Sequence, residues 1–457
     1  MHAESTTPQT VLFPDLFGKA LVACFDEPHA SSDGGAILLK AADRRLGLIE
    51  RLSACVTDAR QAGKVHHTIG EMIAQRVFAL ASGYPDCNDA ARIGDDPIHK
   101  LLVGRDPIDG EALASQPTLS RFENAVGPRT LYRMAETLAD VVIERHRRRL
   151  RGKARRITID LDPTDDPTHG GQQYTLFNGY YGTWCYLPVV GFLTFDEEPE
   201  QHLFAAMLRP GNAPAKLGAV AILRRVLERL CRAFPKARYL VRLDGGFACP
   251  EVLDFLDAAR GLDYVVAIAE NQVLARSAEP LMRKVRRLAK ISDETVRRFG
   301  ECRYRAGTWK TARRVVIKAE IVRLGERAPK DNPRFVVTSL RGKPQTAYQK
   351  YRERGDIENR IKELHHGLEI DRTSCTRFFA NQLRVLLTAA AYVLLQEIRR
   401  AAARTASARA QVSTLRDRFL KIGARVIVSV RRIVLHMPEA FPYTDQWRRV
   451  AGALGAG

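Results

Sequence analysis

Asp162, Asp244 and Glu358 are the residues whose types and settings allow chemistry. In the run ITIDLDPTDDPTHGGQQ, Ile157, Ile159 and Leu161 alternate with Thr158, Asp160 and Asp162, as in a strand. Pro163 ends that strand, so Asp162 stands at its tip, where α/β sheets carry their sites. A second apolar run, Tyr239 to Leu243, ends the same way, in Asp244 and a Gly245-Gly246 turn. Glu358 lies in YRERGDIENRIKELHHG, Tyr351 to Gly367, which reads as one helix. At about 100° per residue, Tyr351, Arg354, Glu358, Lys362 and His365 share an arc of roughly 80°. Ile357, Ile361 and Leu364 form a second stripe that can seat the helix on a core. Carboxylate oxygens are what hard divalent cations such as Mg²⁺ take. Two such ions about 3.5–4 Å apart can serve phosphoryl transfer. The plainer alternatives are a solvated edge with a Glu358–Lys362 pair, and strand-tip aspartates that only form turns or caps. Asp160 shares a face with Asp162 and is a rival ligand, whereas Asp165 and Asp166 read as turn residues.

The elements that would position these carboxylates follow in chain order. Two more strand-like runs, Trp184–Phe195 and His202–Leu208, come after the first. A helix (Leu217–Phe234), the Asp244 strand, a helix (Cys249–Ala259) and a third apolar strand (Tyr264–Ala269) complete the set. Three strands, helix, strand, helix, strand and a last helix is the order of a ribonuclease-H-like fold. Between the last strand and the Glu358 helix, an insert from Asn271 to Pro344 opens on a basic helical run, LMRKVRRLAK. It then alternates like strands over Gly300–Trp309, Arg313–Leu324 and Arg334–Leu340. Trp309 there reads as a core residue in preference to a base-stacking one. Ahead of the sheet, the segment before Ser32 reads as loosely ordered. Helical spacing covers Ala36–Leu46, Thr68–Ala81 and Thr130–Glu144, and GYPDCNDAARIGDDP reads as a loop. Pro117-Thr118-Leu119-Ser120-Arg121 can open a short helix, for packing or for DNA. Arg145 to Arg156 carries eight Lys or Arg in twelve residues and reads as a basic linker, solvated or phosphate-contacting. After Gly367 come a long apolar helix (Phe379–Arg399), an Ala/Arg/Ser-rich linker and a basic strand-like segment, Ala424–Met437.

The 457-residue chain is 45% hydrophobic, enough for sizeable cores. Its formal net charge of +20 points to a polyanion, usually nucleic acid, as partner. No membrane role is expected, since the longest apolar run, Leu383–Leu395, falls short of the ~18–20 residues of a spanning helix. The polar start MHAESTTPQT does not read as a signal peptide. The eight cysteines form no CxxC pair, so zinc and a disulfide framework are not expected and reduced, cytoplasmic thiols are. His66-His67 and His365-His366 have no partner at zinc spacing.

The chain resembles the DDE transposases of bacterial insertion sequences, in the IS-four superfamily, and most of all its IS-thirteen-eighty group. Tyr351, Arg354 and Glu358 match that superfamily's Y-(2)-R-(3)-E-(6)-K signature, and His365 stands where the lysine is expected. Asp162-Pro163-Thr164 and Leu243-Asp244-Gly245-Gly246-Phe247 match its two aspartate motifs. The runs SSDGGAILL, QPTLSRFEN, DPTDDPTHGGQQ and FNGYYGTWCYLP resemble the group as well. The resemblance implies an α/β protein: a ribonuclease-H-like catalytic core with a mainly β insertion, plus a helical N-terminal domain. The expected division is 1–150 for the helical DNA-binding or assembly domain and 151–275 for the first part of the core. The insertion takes 276–344, the core helices with Glu358 take 345–400, and a basic region takes 401–457. The implied activity is cut-and-paste transposition. Asp162, Asp244 and Glu358 would hold two Mg²⁺ (or Mn²⁺) ions, and Tyr351 and Arg354 would contact DNA phosphates. Lys362 or His365 would take the lysine's place on DNA. The implied partners are inverted terminal repeats and target DNA, held by a homodimer in the bacterial nucleoid. The competing readings are a catalytically silent transposase-derived DNA-binding protein and a nuclease without strand transfer.

Overall fold

The alternating run at 157–162 forms a strand, and that strand lies in the middle of the largest sheet. The structure is a computed structural model that describes residues 10–12, 18–292, 294–323 and 328–457. The sheet's long strands are β1 (Arg156–Pro163), β2 (Val189–Phe195), β3 (His202–Met207), β4 (Arg238–Leu243), β5 (Leu262–Ile268), β6 (Val296–Tyr304), β7 (Arg313–Val322) and β8 (Arg334–Thr338). Their spatial order is β6-β7-β8-β5-β4-β1-β2-β3. β4 runs parallel to both β1 and β5, and every other neighbouring pair is antiparallel. Parallel neighbours need crossovers, and the helices Ala219–Ala233 and Pro250–Ala258 lie in the two crossover segments. The fold is therefore mixed α/β, with helices on both faces of the sheet. On one face Leu240, Val265, Val316 and Val336 receive the helix Pro344–Arg352 through Ala347 and Tyr348. On the other, Val315 and Ile317 share a core with Leu274 and Met282 of the helix Gln272–Ala289.

The insert is antiparallel, as its alternation predicts, and it is part of the main sheet. It holds that long helix, and its strands β6, β7 and β8 continue the main sheet from the edge of β5. Trp309 is buried, with the Arg313 guanidinium 5.0 Å from its ring. Leu324, the expected end of one strand, lies outside the described residues.

The long apolar helix runs from Phe378 to Ala401 and is buried along nearly its whole length. By length and composition it could cross a membrane, but 89% of its most apolar window is buried inside the fold. It packs against β3 and the helices Ile69–Ser82 and Pro128–Leu150. Its buried Gln382 and Gln396 accept hydrogen bonds from the Leu208 and Leu203 amides. The edge of the sheet is thereby covered instead of being left open to pair with another chain.

Three expectations at the N-terminal end are corrected. GYPDCNDAARIGDDP is not all loop: Asp86 caps a short helix, Cys87–Arg92. The basic run is no linker, because the helix Pro128–Leu150 continues through its first half. There Arg145 pairs with Glu397 and Arg149 with Glu198. The segment before Ser32 is partly outside the described residues, but Thr10–Leu12 pairs with Leu21–Ala23 and Ser31 pairs with Ala424. The short helix expected at Pro117 is Gln116–Ala125, packed through Leu119, Phe122 and Glu123. The expected strand Trp184–Phe195 is two strands in different sheets. Thr183–Tyr186 joins Asp166–Pro167 and Leu176–Asn178 in a three-stranded sheet, and β2 starts only after Pro188.

Candidate active site

Strand register brings the two aspartates together. Arg242 of β4 is the Cα partner of Asp160 on β1. Side chains two residues apart share a face, and neighbouring strands lie about 4.8 Å apart. Two positions further along the same face stand Asp162 and Asp244. It is also the face on which the helix Pro344–Arg352 lies. Asp244 caps the short 3₁₀ turn Gly245–Phe247, accepting a hydrogen bond from the Gly246 amide at 3.0 Å. Gly246 is needed there, because a Cβ would come within 2.7 Å of the Ala215 Cβ.

Glu358 arrives from a helix more broken than its spacing predicts. Tyr351 ends the helix Pro344–Arg352, Glu353–Gly355 is a 3₁₀ turn, Asp356–Lys362 is α-helical and Glu363–Gly367 is a π turn. A 3₁₀ residue advances about 120° instead of about 100°, so this three-residue turn shifts Tyr351 by about 60° around the axis relative to Glu358. The anchoring stripe holds: Ile357 and Leu364 are buried, Ile361 is half-buried and Glu358 is exposed.

The rival Asp160 is occupied. It is fully buried and takes a bidentate pair from Arg242 at 2.8 and 2.7 Å. Burial pushes its carboxyl up and Arg242 pulls it back. The same guanidinium reaches Glu353 and the Lys350 carbonyl, so it ties both strands to the helix leading to Glu358.

Asp162 is nearly buried, and Arg354 lies on it, Nη2 to Oδ1 at 2.5 Å. Burial nevertheless pushes Asp162 up to about 7, helped by the charges of Asp244, Glu358 and Asp160 and opposed by Arg354. The charges of Asp244 and Glu358 both act on Asp162, and the strand register sets Asp162 and Asp244 at neighbouring strand tips. Arg354 is itself buried, and its Nε has no hydrogen-bond partner among the described residues. Tyr351 is half-buried against Tyr348, and burial with the charges of Asp244 and Asp162 pushes its phenol up against the pull of Arg354.

His365 and Lys362 differ sharply. His365 is held at both ends, Nε2 to the Thr164 hydroxyl at 2.8 Å and Nδ1 to Asp371 at 3.0 Å. With Nδ1–H donating to Asp371, Nε2 accepts from Thr164. The imidazole thus clasps the turn after Asp162 to the end of the Glu358 helix. Lys362 is exposed and makes no ion pair among the described residues. Thr164 belongs to the Asp162-Pro163-Thr164 motif, but no local signal links it to His365, 201 residues on, and Asp371 did not stand out in the sequence.

Asp166, expected as a turn residue, is buried instead, with both oxygens 2.9 Å from the Thr373 hydroxyl. Burial, with Asp371 and Asp165 nearby, pushes it up to about 8 against the Thr373 hydrogen bond. A carboxyl raised on folding supports the fold while protonated, and that support is lost as pH rises through about 8. Asp166→Asn should therefore flatten the fall in stability between about pH 4 and about pH 8, by on the order of 2 kcal/mol. Thermal melts of both proteins at about pH 5 and about pH 9 check this: an equal gap at both pH values rejects it. Beside Asp166, a cleft of ≈ 720 Å³ is lined by His169, Gln172, His365, His366 and Arg372.

Carboxylate oxygens are the donor type that Mg²⁺ requires, and the mutual repulsion at Asp162 is what a cation would relieve. The set fits such an ion by chemistry and charge. It is not drawn to a single point: among the described residues, no three His, Cys, Asp or Glu side chains lie close enough to hold one ion. Arg354 supplies the positive charge at Asp162.

The family described as transposase DDE domain group 1 matches residues 13–456, and the chain belongs to it. No curated protein matches the chain.

Proposed function

We propose that this DDE-family protein is the transposase of a bacterial insertion sequence, of the IS-four superfamily and nearest its IS-thirteen-eighty group. It would cut the element free at its inverted terminal repeats and join the 3′ ends to target DNA. The observation that carries the reading is the strand register that sets Asp162 and Asp244 at neighbouring strand tips on one face, on a chain of net charge +20. The strand order β3-β2-β1-β4-β5 supports a ribonuclease-H-like core.

Asp162, Asp244 and Glu358 would hold Mg²⁺ or Mn²⁺. The ions would activate a water or a 3′-hydroxyl and stabilise the leaving oxygen. Arg354 would restrain Asp162 and lend its positive charge to a nearby phosphate. The Thr164–His365–Asp371 clasp would hold the Asp162 turn in register with Glu358. Tyr351 would stand beside a terminal phosphate. Lys362, exposed and unpaired among the described residues, is the better phosphate contact, and His365 the positioning residue. Lys362→Ala should then reduce the slope of log affinity against log salt by about 1, whereas His365→Ala should leave that slope unchanged. Binding titrations at several salt concentrations decide it, and an unchanged slope for Lys362→Ala refutes the assignment.

Two ends must be brought together, which favours a homodimer on DNA, working in the cytoplasm at the nucleoid. The decisive experiment incubates the protein with Mg²⁺ and labelled DNA carrying the inverted repeats that flank its gene. Cleaved and joined products are expected. Cleavage without joining would mark a nuclease. Binding without cleavage would mark the silent DNA-binding alternative, against which the presence of all three carboxylates argues.

A further inference from the structure

The hairpin from Leu176 to Tyr186 displays aromatic rings to solvent beside the candidate active site. Phe177 and Trp184 are direct cross-strand partners with ring centroids 6.2 Å apart. They are 53% and 57% exposed, Tyr180 at the tip is 89% exposed, and Tyr174 at the base is 61% exposed. Soluble proteins rarely leave such a patch uncovered without a partner for it. On its other side the hairpin is firmly seated, with Cys185 and Tyr186 buried. Asn178 accepts hydrogen bonds from the Tyr180 and Tyr181 amides at 3.0 and 3.3 Å and donates to the Gly211 carbonyl at 2.7 Å. A Cβ on Gly211 would lie 2.1 Å from the Cys185 carbonyl oxygen, so the hairpin rests directly on that backbone. The exposed rings therefore stand on a braced support.

The hairpin is also tied to the site. Tyr186 and Cys185 pair with Asp166 and Pro167, in the segment that leaves the Asp162 strand tip. The carboxylates of Asp165, Asp162 and Asp244 reach the Tyr181 phenol and, after burial, help to push it up to about 12. The rings meet one another edge-on, Phe177 with Trp184 at 66° and Tyr180 with Tyr181 at 85°, which leaves ring faces open. Open aromatic faces on a basic protein are what unpaired bases stack upon, whatever their sequence.

We infer that this hairpin is a stacking platform for bases unpaired at a DNA end, with Trp184 and Tyr180 its principal rings. The inference rests on the transposase reading, since cutting at an end is what brings unpaired bases beside these carboxylates. The occupant is nucleic acid, because the chain's net charge of +20 selects a polyanion and the uncharged, aromatic hairpin can take the bases instead of the phosphates. A second copy of the chain is the competing occupant.

The test compares a blunt duplex with the same duplex ending in an unpaired oligo-dT flap, in EDTA so that no cleavage occurs. Wild type should prefer the flap by roughly tenfold. Trp184→Ala and Tyr180→Ala should lose that preference, and Tyr180→Phe, which keeps the ring, should retain it. The flap should also quench tryptophan fluorescence. Trp184→Phe should abolish the quench, since Trp309 is buried and Trp447 half-buried. Equal affinity of wild type for the two DNAs overturns the inference. So does a flap preference that survives both alanine substitutions, or an effect of those substitutions on self-association alone. Flap preference in a protein that never cleaves repeat DNA supports the platform while defeating the transposase reading. Normal cleavage without flap preference does the reverse.

Discussion

Asp244→Asn and Glu358→Gln should each reduce Mg²⁺-dependent cleavage of repeat DNA by about a thousandfold or more, with binding of that DNA kept. The magnitude is that of removing one carboxylate from a site asked to stabilise phosphoryl-transfer charge, about 4 kcal/mol at about 1.36 kcal/mol per tenfold in rate. These substitutions are cleaner than alanine at Asp162. The Asp244 side chain caps a turn through the Gly246 amide. Asparagine retains a carbonyl oxygen for that bond and removes only the charge. Glu358 is exposed, so its amide should not disturb the fold. Asp162→Ala would strip the buried Arg354 of its ion-pair partner and confuse lost chemistry with lost stability. Melting temperatures should therefore match wild type for Asp244→Asn and Glu358→Gln. Undiminished cutting by either variant removes that residue from the site. Asp160→Asn supplies the opposite control: its pair with Arg242 is structural, so the variant should lose stability first.

How much of this could be read from the chain varies with how local the cause is. The tips carrying Asp162 and Asp244 were legible because an apolar run, a proline or a Gly-Gly turn, and period-two alternation are all local signals. The adjacency of the two aspartates follows once the Arg242–Asp160 register is known, and register is a tertiary property. The seating of the Glu358 helix was legible in Ile357 and Leu364. Its 3₁₀ and π turns were not, because distant partners stand beside them: Arg242 at Glu353, and Arg399 with Tyr392 at Glu363. The basic run failed as a linker for the same reason, since Glu397 and Glu198, which receive its arginines, lie far along the chain. The strand expected from Trp184 to Phe195 broke because Leu187 bonds to Arg209, outside both strands, and Pro188 has no amide to continue a ladder. The aromatic hairpin shows the converse. FNGYYGTW was visible as a motif, but nothing local told which of its rings would face solvent.

The largest stability effect should come from Glu123. Its carboxylate is wholly buried between two arginines, Arg76 at 3.0 Å and Arg384 at 2.7 Å. Arg76 lies on the helix Ile69–Ser82, Glu123 on Gln116–Ala125 and Arg384 on the central helix Phe378–Ala401, so the triad joins the N-terminal helices to the core of the protein. Burial alone would push Glu123 up, but the two arginines outweigh it and hold the carboxyl below its usual value. A carboxyl lowered on folding contributes stability above its unfolded pKa, and that stability is lost as pH falls through the folded value. Glu123→Ala leaves two guanidinium groups buried without their shared counter-charge. Breaking a buried pair in this way costs about 3–5 kcal/mol, a large part of the roughly 5–15 kcal/mol that holds a domain together. Arg76 retains the Asp86 and Pro85 carbonyls and Arg384 retains Ser374, so the cost stays within that range. Denaturant unfolding should show a lower midpoint for Glu123→Ala, with a smaller loss for Glu123→Gln, which keeps hydrogen-bond acceptance but not charge. An alanine variant as stable as wild type would mean that the triad adds nothing net, as happens where desolvation cancels the Coulomb attraction of a buried pair. The triad would then serve to fix how the N-terminal helices dock on the central one, and limited proteolysis across Gln116–Ala125 would report its loss.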